Sequence, residues 1–133
     1  MIKINAYLTF NGNCREAMSF YRRCFGGELS FQVLGDCPGA DRLPLPMRLT
    51  ILQATLVNDQ LTLVGSDMVG EQGLSKGNSV SLMLFCSDEE ELKACYKKLI
   101  SGGKIIHRPG KTYWDALFGV VQDRYGHQWL LSC

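Results

Sequence analysis

The sequence predicts an α+β fold of two paired βαβββ modules, whose curved mixed sheets enclose a groove. Three observations lead there. Residues 13–27 (NCREAMSFYRRCFGG) and 87–103 (SDEEELKACYKKLISGG) repeat one plan. Each has a polar cap, an acid three places on, an apolar stripe at helical spacing and two terminal glycines. Strand-like runs precede and follow both stretches. The chain has 133 residues, the size of one ordinary domain. It reads as a single domain, with modules over about 1–66 and 79–133 joined by a polar, glycine-containing loop, 67–78.

The elements follow in order. Ile4 to Phe10 is a strand ending at the turn Asn11-Gly12-Asn13. A helix follows from Cys14 to Phe25, with Asn13 as its cap and Glu16 at the capping-box position. Ala17, Phe20, Tyr21 and Cys24 form its apolar stripe, and Gly26-Gly27 stops it. Glu28 to Leu34 is the next strand, and the proline- and glycine-bearing stretch from Gly35 to Met47 is a loop. Arg48 to Val57 and Gln60 to Val64 are strands around a tight turn at Asn58-Asp59. Gly65 to Asn78 is a surface linker or a mobile flap. Val80 to Cys86 then opens the second module. Ser87 caps a helix with Glu90 three places on, and Leu92, Cys95, Tyr96 and Leu99 are its stripe. Gly102-Gly103 stops it. Strands at Lys104 to His107, Ala116 to Gln122 and Gln128 to Leu131 complete the module, the last two joined by a turn over 124–127. A short helix cannot bury its stripe alone, so each packs on one face of its own sheet. The opposite face must be buried or line a cavity, which makes the groove the natural ligand site.

Lysine and arginine number 14 against 13 acids, a net charge of +1. Such a balance gives no bulk field for nucleic acid or an anionic membrane. The N-terminal run has neither the apolar core nor the cleavage site of a signal peptide, and no apolar run is long enough to span a bilayer. The six cysteines form no CxxC pair, so the expectation is free thiols in a reducing cytoplasm. Cys24 and Cys95 read as small core residues, Cys37 and Cys133 as the more exposed. No P-loop or zinc finger is present, and no nucleophilic set can be specified around His107 or His127.

YLTFNGNCREAMSFYRRCFGG, Trp114 and the run Asp123-Arg124-Tyr125-Gly126-His127-Gln128-Trp129 together resemble the vicinal oxygen chelate superfamily. That superfamily includes glyoxalases, extradiol dioxygenases and bleomycin-resistance proteins, and the likeness is to its small PhnB-like branch. The landmarks span almost the whole chain in the expected order. The resemblance implies paired βαβββ modules and a homodimer. In metal-using members it also implies four His, Glu or Gln ligands on equivalent strands facing the cavity. Here those positions fall near Asn5 (or Ala6 if the register slips), at Gln53, near Ser81 (Ser79 by strand parity) and near Leu130. Only Gln53 is a plausible ligand, because leucine cannot coordinate and Asn and Ser substitute poorly for imidazole or carboxylate. PhnB-like sequences sometimes carry a demethylubiquinone methyltransferase label, yet no glycine-rich loop of a Rossmann-type unit is present.

The expected function is therefore binding of a small organic molecule without a chelated metal or other cofactor. The alternatives are a metal-dependent lyase or dioxygenase of the same superfamily, and a non-catalytic structural or interaction protein. Candidate groove-lining residues are Tyr7, Thr9, Gln53, Ser81, Met83, Phe85, Trp114 and Trp129. With Leu8 and Phe10 turned to the helix, Tyr7 and Thr9 face the groove, and Met83 and Phe85 do the same in the second module. Gln53, a lone amide in an apolar strand, needs a partner if buried. Trp129 reads as core or pocket wall. Arg48 offers a steering charge or ordinary surface, and Asp123 and Arg124 read as solvent-facing turn residues.

Overall fold

The computed structural model describes residues 1–133. They divide into two compact units, Met1–Leu74 and Ser75–Cys133. The first contains β1 (Ala6–Thr9), α1 (Cys14–Phe25), β2 (Glu28–Val33), α2 (Leu45–Arg48), β3 (Ile51–Val57) and β4 (Thr62–Ser66). The second contains β5 (Leu82–Phe85), α3 (Glu89–Leu99), β6 (Lys104–Lys111), β7 (Leu117–Gln122) and β8 (Gln128–Ser132). Each unit has one four-stranded sheet, ordered β1-β4-β3-β2 and β5-β8-β7-β6. The pairs β1·β4 and β5·β8 are parallel, and the rest are antiparallel. The fold is thus α+β with two βαβββ modules.

In the first unit Leu8 lies beside Gly65, Gly65 beside Ala54, and Ala54 beside Phe31. This is the face that α1 covers, burying Cys14, Ala17, Met18, Phe20 and Tyr21. The helix sits close. A Cβ on Gly65 would come 2.9 Å from Met18 Sδ and 3.1 Å from Cys14 Sγ. Burial there pushes the Cys14 thiol up to about 12, with Asp67 adding to the effect. In the second unit α3 packs on β7 and β8, burying Leu92, Tyr96 and Leu99 on the side of Val121, Trp129 and Leu131. Gly119 serves as Gly65 does, since a Cβ there would lie 3.0 Å from Tyr96 Cε2.

The repeated Gly-Gly pairs have one physical cause. Gly26, which caps α1, and Gly102, two residues past the cap of α3, take positive φ of 73° and 75°, which L side chains rarely adopt. A Cβ on Gly27 or Gly103 would strike the carbonyl oxygen of Val57 or Gln122 on the adjoining strand. These carbonyls belong to the residues paired with Glu28 and Lys104, the first residues of β2 and β6.

Several local expectations are corrected. The Asn13 side chain makes no cap bond; Asp67 Oδ1, just past β4, instead accepts from Gly12 N at 3.0 Å and Cys14 N at 2.9 Å. In α3 the cap is Asp88 rather than Ser87. Asp88 Oδ1 accepts from Glu91 N at 2.8 Å, and the Glu91 carboxylate takes Ser87 N and Oγ in return. The loop at 35–47 holds two 3₁₀ turns and the start of α2. Arg48 pins this segment, donating to the Leu43 carbonyl at 2.8 Å and the Asp41 carbonyl at 3.2 Å. The tight turn between β3 and β4 spans Asn58 to Leu61: Asn58 N donates to the Leu61 carbonyl at 3.1 Å, and Asn58 Oδ1 accepts from both Gln60 N and Leu61 N. Gly65 and Ser66 belong to β4, and β6 runs on through Pro109 and Gly110, interrupted by two register shifts.

Replacing Asp67 by Ala should cost about 1 kcal/mol in urea unfolding, since two donors at the α1 N-terminus lose their acceptor. Asn13→Ala should change stability by no more than a few tenths of a kcal/mol.

Candidate functional site

Helices α1 and α3 each cover one face of their sheet, and the alternation of strand side chains leaves the other face open. In the first unit that face carries Tyr7 and Thr9 on β1, flanked by Val64 and the fully buried Ser66 on β4. Thr55 and Gln53 follow on β3, with Ser30 and Gln32 beyond them on β2. The surface is mostly hydroxyl and amide, with Tyr7 exposed at 56%. Gln53 is exposed, so its amide needs no buried partner.

The corresponding face of the second unit is different in chemistry. Met83 and Phe85 stand on the edge strand β5 at 47% and 80% exposure. Met83 lies beside Leu130, and Leu130 beside Val120. Phe85 lies beside Ser132, and Ser132 beside Phe118. Three strands, β5, β8 and β7, thus present Met, Phe, Leu and Val side chains with no helix over them. One end of this face is polar. Ser81 Oγ donates to Gln128 Oε1 at 2.9 Å, and Gln128 pairs with Gln122. These two glutamines help line a pocket of about 120 Å³ with Lys76, Asn78 and His127. Lys76 Nζ is held there by the Tyr125 carbonyl at 2.6 Å. Toward the other end, the β6–β7 turn carries Tyr113 and Trp114. Both are exposed, packed edge to face with centroids 4.7 Å apart, and Asp115 beside them takes φ 64°.

Trp129 is the candidate that leaves the open face. It lies beside Leu82 and Val121 on the helix-covered side, is 1% exposed, and donates from Nε1 to Asp123 Oδ2 at 2.8 Å. Asp123, expected in solvent, is buried. Its Oδ1 accepts from Tyr125 N at 2.9 Å and His127 N at 3.0 Å. One carboxylate therefore sets the β7–β8 turn and anchors the largest core side chain of its unit. Arg124 fills the outer side of the same turn, donating to Ser101 at its carbonyl and hydroxyl. Burial lowers the pKa of His127 below the usual 6.5; nearby Asp123 opposes this and Lys76 reinforces it. His107 is exposed, its ring 6.0 Å from that of Phe118.

The positions at which the resemblance places metal ligands hold Asn5 (or Ala6) and Gln53 in one unit and Ser81 (or Ser79) and Leu130 in the other. Leu130 offers no donor atom, and the Ser81 hydroxyl is engaged by Gln128. Nowhere do three or more His, Cys, Asp or Glu side chains gather in a way that would hold a metal. These residues do not fit a four-ligand metal centre.

The chain belongs to the Glyoxalase/Bleomycin resistance protein/Dioxygenase superfamily, whose family model matches residues 3–131. Among its relatives is Protein YjdN of Escherichia coli K12, 27% identical over 139 residues, covering 97% of this chain and 93% of that one. The crystal structure of protein PA1353 from Pseudomonas aeruginosa is 33% identical with a TM-score of 0.84, covering 100% of this chain and 98% of that one. A Bacillus cereus PhnB protein, described as a putative 3-demethylubiquinone-9 3-methyltransferase, is 26% identical with a TM-score of 0.76 and covers 98% of both chains. The likeness to the PhnB-like branch holds along the full chain.

Asp123→Asn should lower stability by about 2 kcal/mol in urea unfolding, because an amide cannot replace the charge that three donors share. For His127 the folded state binds fewer protons than the unfolded state just below 6.5. Its contribution to stability is present above that value and is lost as the pH falls through it toward the lowered folded pKa. Melting temperatures taken across this range should decline toward acid, and His127→Gln should flatten the decline.

Proposed function

We propose that this protein binds a small organic molecule with an apolar, planar body against the open sheet face of its second unit, without a chelated metal. One observation carries the reading: Met83 and Phe85 are exposed on a sheet face that continues into Leu130, Val120 and Phe118 and has no helix over it. Apolar side chains laid out in this way on a rigid sheet offer affinity through burial. Ser81 and Gln128, at the polar end of the same face, offer a hydroxyl and an amide to orient a ligand's polar group. Tyr7 and Gln53 offer the same groups on the face of the first unit. The donor set supports a metal-free mode, since the ligand positions hold Asn, Gln, Ser and Leu. No helix is long and apolar enough to cross a membrane, and six thiols suit a reducing compartment such as the cytoplasm. A homodimer, implied by the family, completes the reading.

The test titrates the purified protein with an anilinonaphthalene sulfonate dye and follows dye fluorescence. Saturable binding is expected, and Phe85→Ala should weaken it about tenfold, some 1.4 kcal/mol. An unchanged affinity in Phe85→Ala would remove the support for this face. Added divalent cations should leave binding and melting unchanged; a stoichiometric tight metal lost in Gln53→Ala would overturn the metal-free mode.

A further inference from the structure

Cys86 and Cys133 sit one residue beyond the ends of β5 and β8, the parallel pair of the second unit. Phe85 is the register partner of Ser132. Cys86 N donates to the Ser132 carbonyl at 2.7 Å, so the parallel ladder continues past its last pair. Cys133 is held in the same plane by reciprocal bonds with Leu117, N to O in both directions at 3.1 Å. The next residues in register are therefore the two cysteines, side by side. Strand alternation turns both toward the α3 side, following Leu82 and Leu84 on one strand and Trp129 and Leu131 on the other. Neighbouring strands run about 4.8 Å apart, within the roughly 4.4–6.8 Å that separates the Cα atoms of disulfide-bonded cysteines. Burial first, then Glu91 and Cys133, raise the Cys86 pKa.

We propose that Cys86 and Cys133 are an oxidisable pair that closes to an intramolecular disulfide when the protein meets hydrogen peroxide. Cys133 is exposed and Cys86 half-buried, which fixes the order of events. The Cys133 thiolate attacks a peroxide oxygen, the O–O bond breaks, and hydroxide leaves, giving a sulfenic acid. The Cys86 sulfur then attacks the Cys133 sulfur, the S–O bond breaks, and water leaves with the Cys86 proton. Two thiols and one peroxide become one disulfide and two waters. The bond would tie the edge strand β5, which carries Met83 and Phe85, to its neighbour β8.

Peptide mapping after peroxide treatment and alkylation under non-reducing conditions tests the pair. The expected product is a monomer about 2 Da lighter, with Cys86 and Cys133 in one linked peptide and full reversal by dithiothreitol. Cys133→Ser and Cys86→Ser should each abolish the link, and circular dichroism reports whether each variant is folded. An oxidised wild type in which both cysteines remain alkylatable would overturn the proposal. So would a disulfide that joins either one to Cys95 or to a second chain.

Discussion

The parallel pairing of the first and last strands in each unit is the constraint from which the rest follows. A hairpin cannot join parallel neighbours, so the chain must leave β1 or β5, cross one face of the sheet and come back through antiparallel strands. The crossing is made by α1 or α3, which fixes the face that is covered. The helix must then lie near enough to seal a small core, hence the glycines under Met18 and Tyr96. It must also stop abruptly where the next strand begins, hence the Gly-Gly pairs against the carbonyls of Val57 and Gln122. The uncovered face is the remainder of the same geometry.

Those two uncovered faces share a topology and differ in chemistry. Hydroxyls and amides dominate the one behind α1, whereas Met83, Phe85, Leu130 and Val120 dominate the one behind α3. The two units thus share a frame and differ in the side chains they expose.

Much of this architecture was legible because it rests on periodicity. The stripe through Ala17, Phe20 and Tyr21 and the one through Leu92, Tyr96 and Leu99 mark helices whatever else surrounds them. Leu8 and Phe10 fixed the parity that turns Tyr7 and Thr9 outward. What escaped depends on contacts across long separations. Asp67 caps a helix 53 residues away, and nothing beside Asn13 announces the substitution. At α3 the run Ser87-Asp88-Glu89-Glu90-Glu91 admits two overlapping capping boxes, and only the backbone conformation of Asp88 selects one. Asp123 looked solvent-facing because an acid in a glycine-bearing turn usually is. The available cue was Trp129, six residues on, whose indole N–H needs an acceptor once its ring is buried.

The irregularity of β6 has a consequence for how sheets of this kind avoid sticking to one another. As the last strand in the order β5-β8-β7-β6, it exposes a row of backbone donors and acceptors. Its two register shifts break that row, Pro109 removes a donor, and Lys104, Arg108 and Lys111 give it a positive charge. A foreign strand meeting this margin finds a broken, charged template. The opposite margin, β5, has no proline and no charge over Leu82–Phe85. Fibre-like growth from this unit is thus blocked at one border by the backbone itself, leaving only four residues at the other for edge-to-edge pairing.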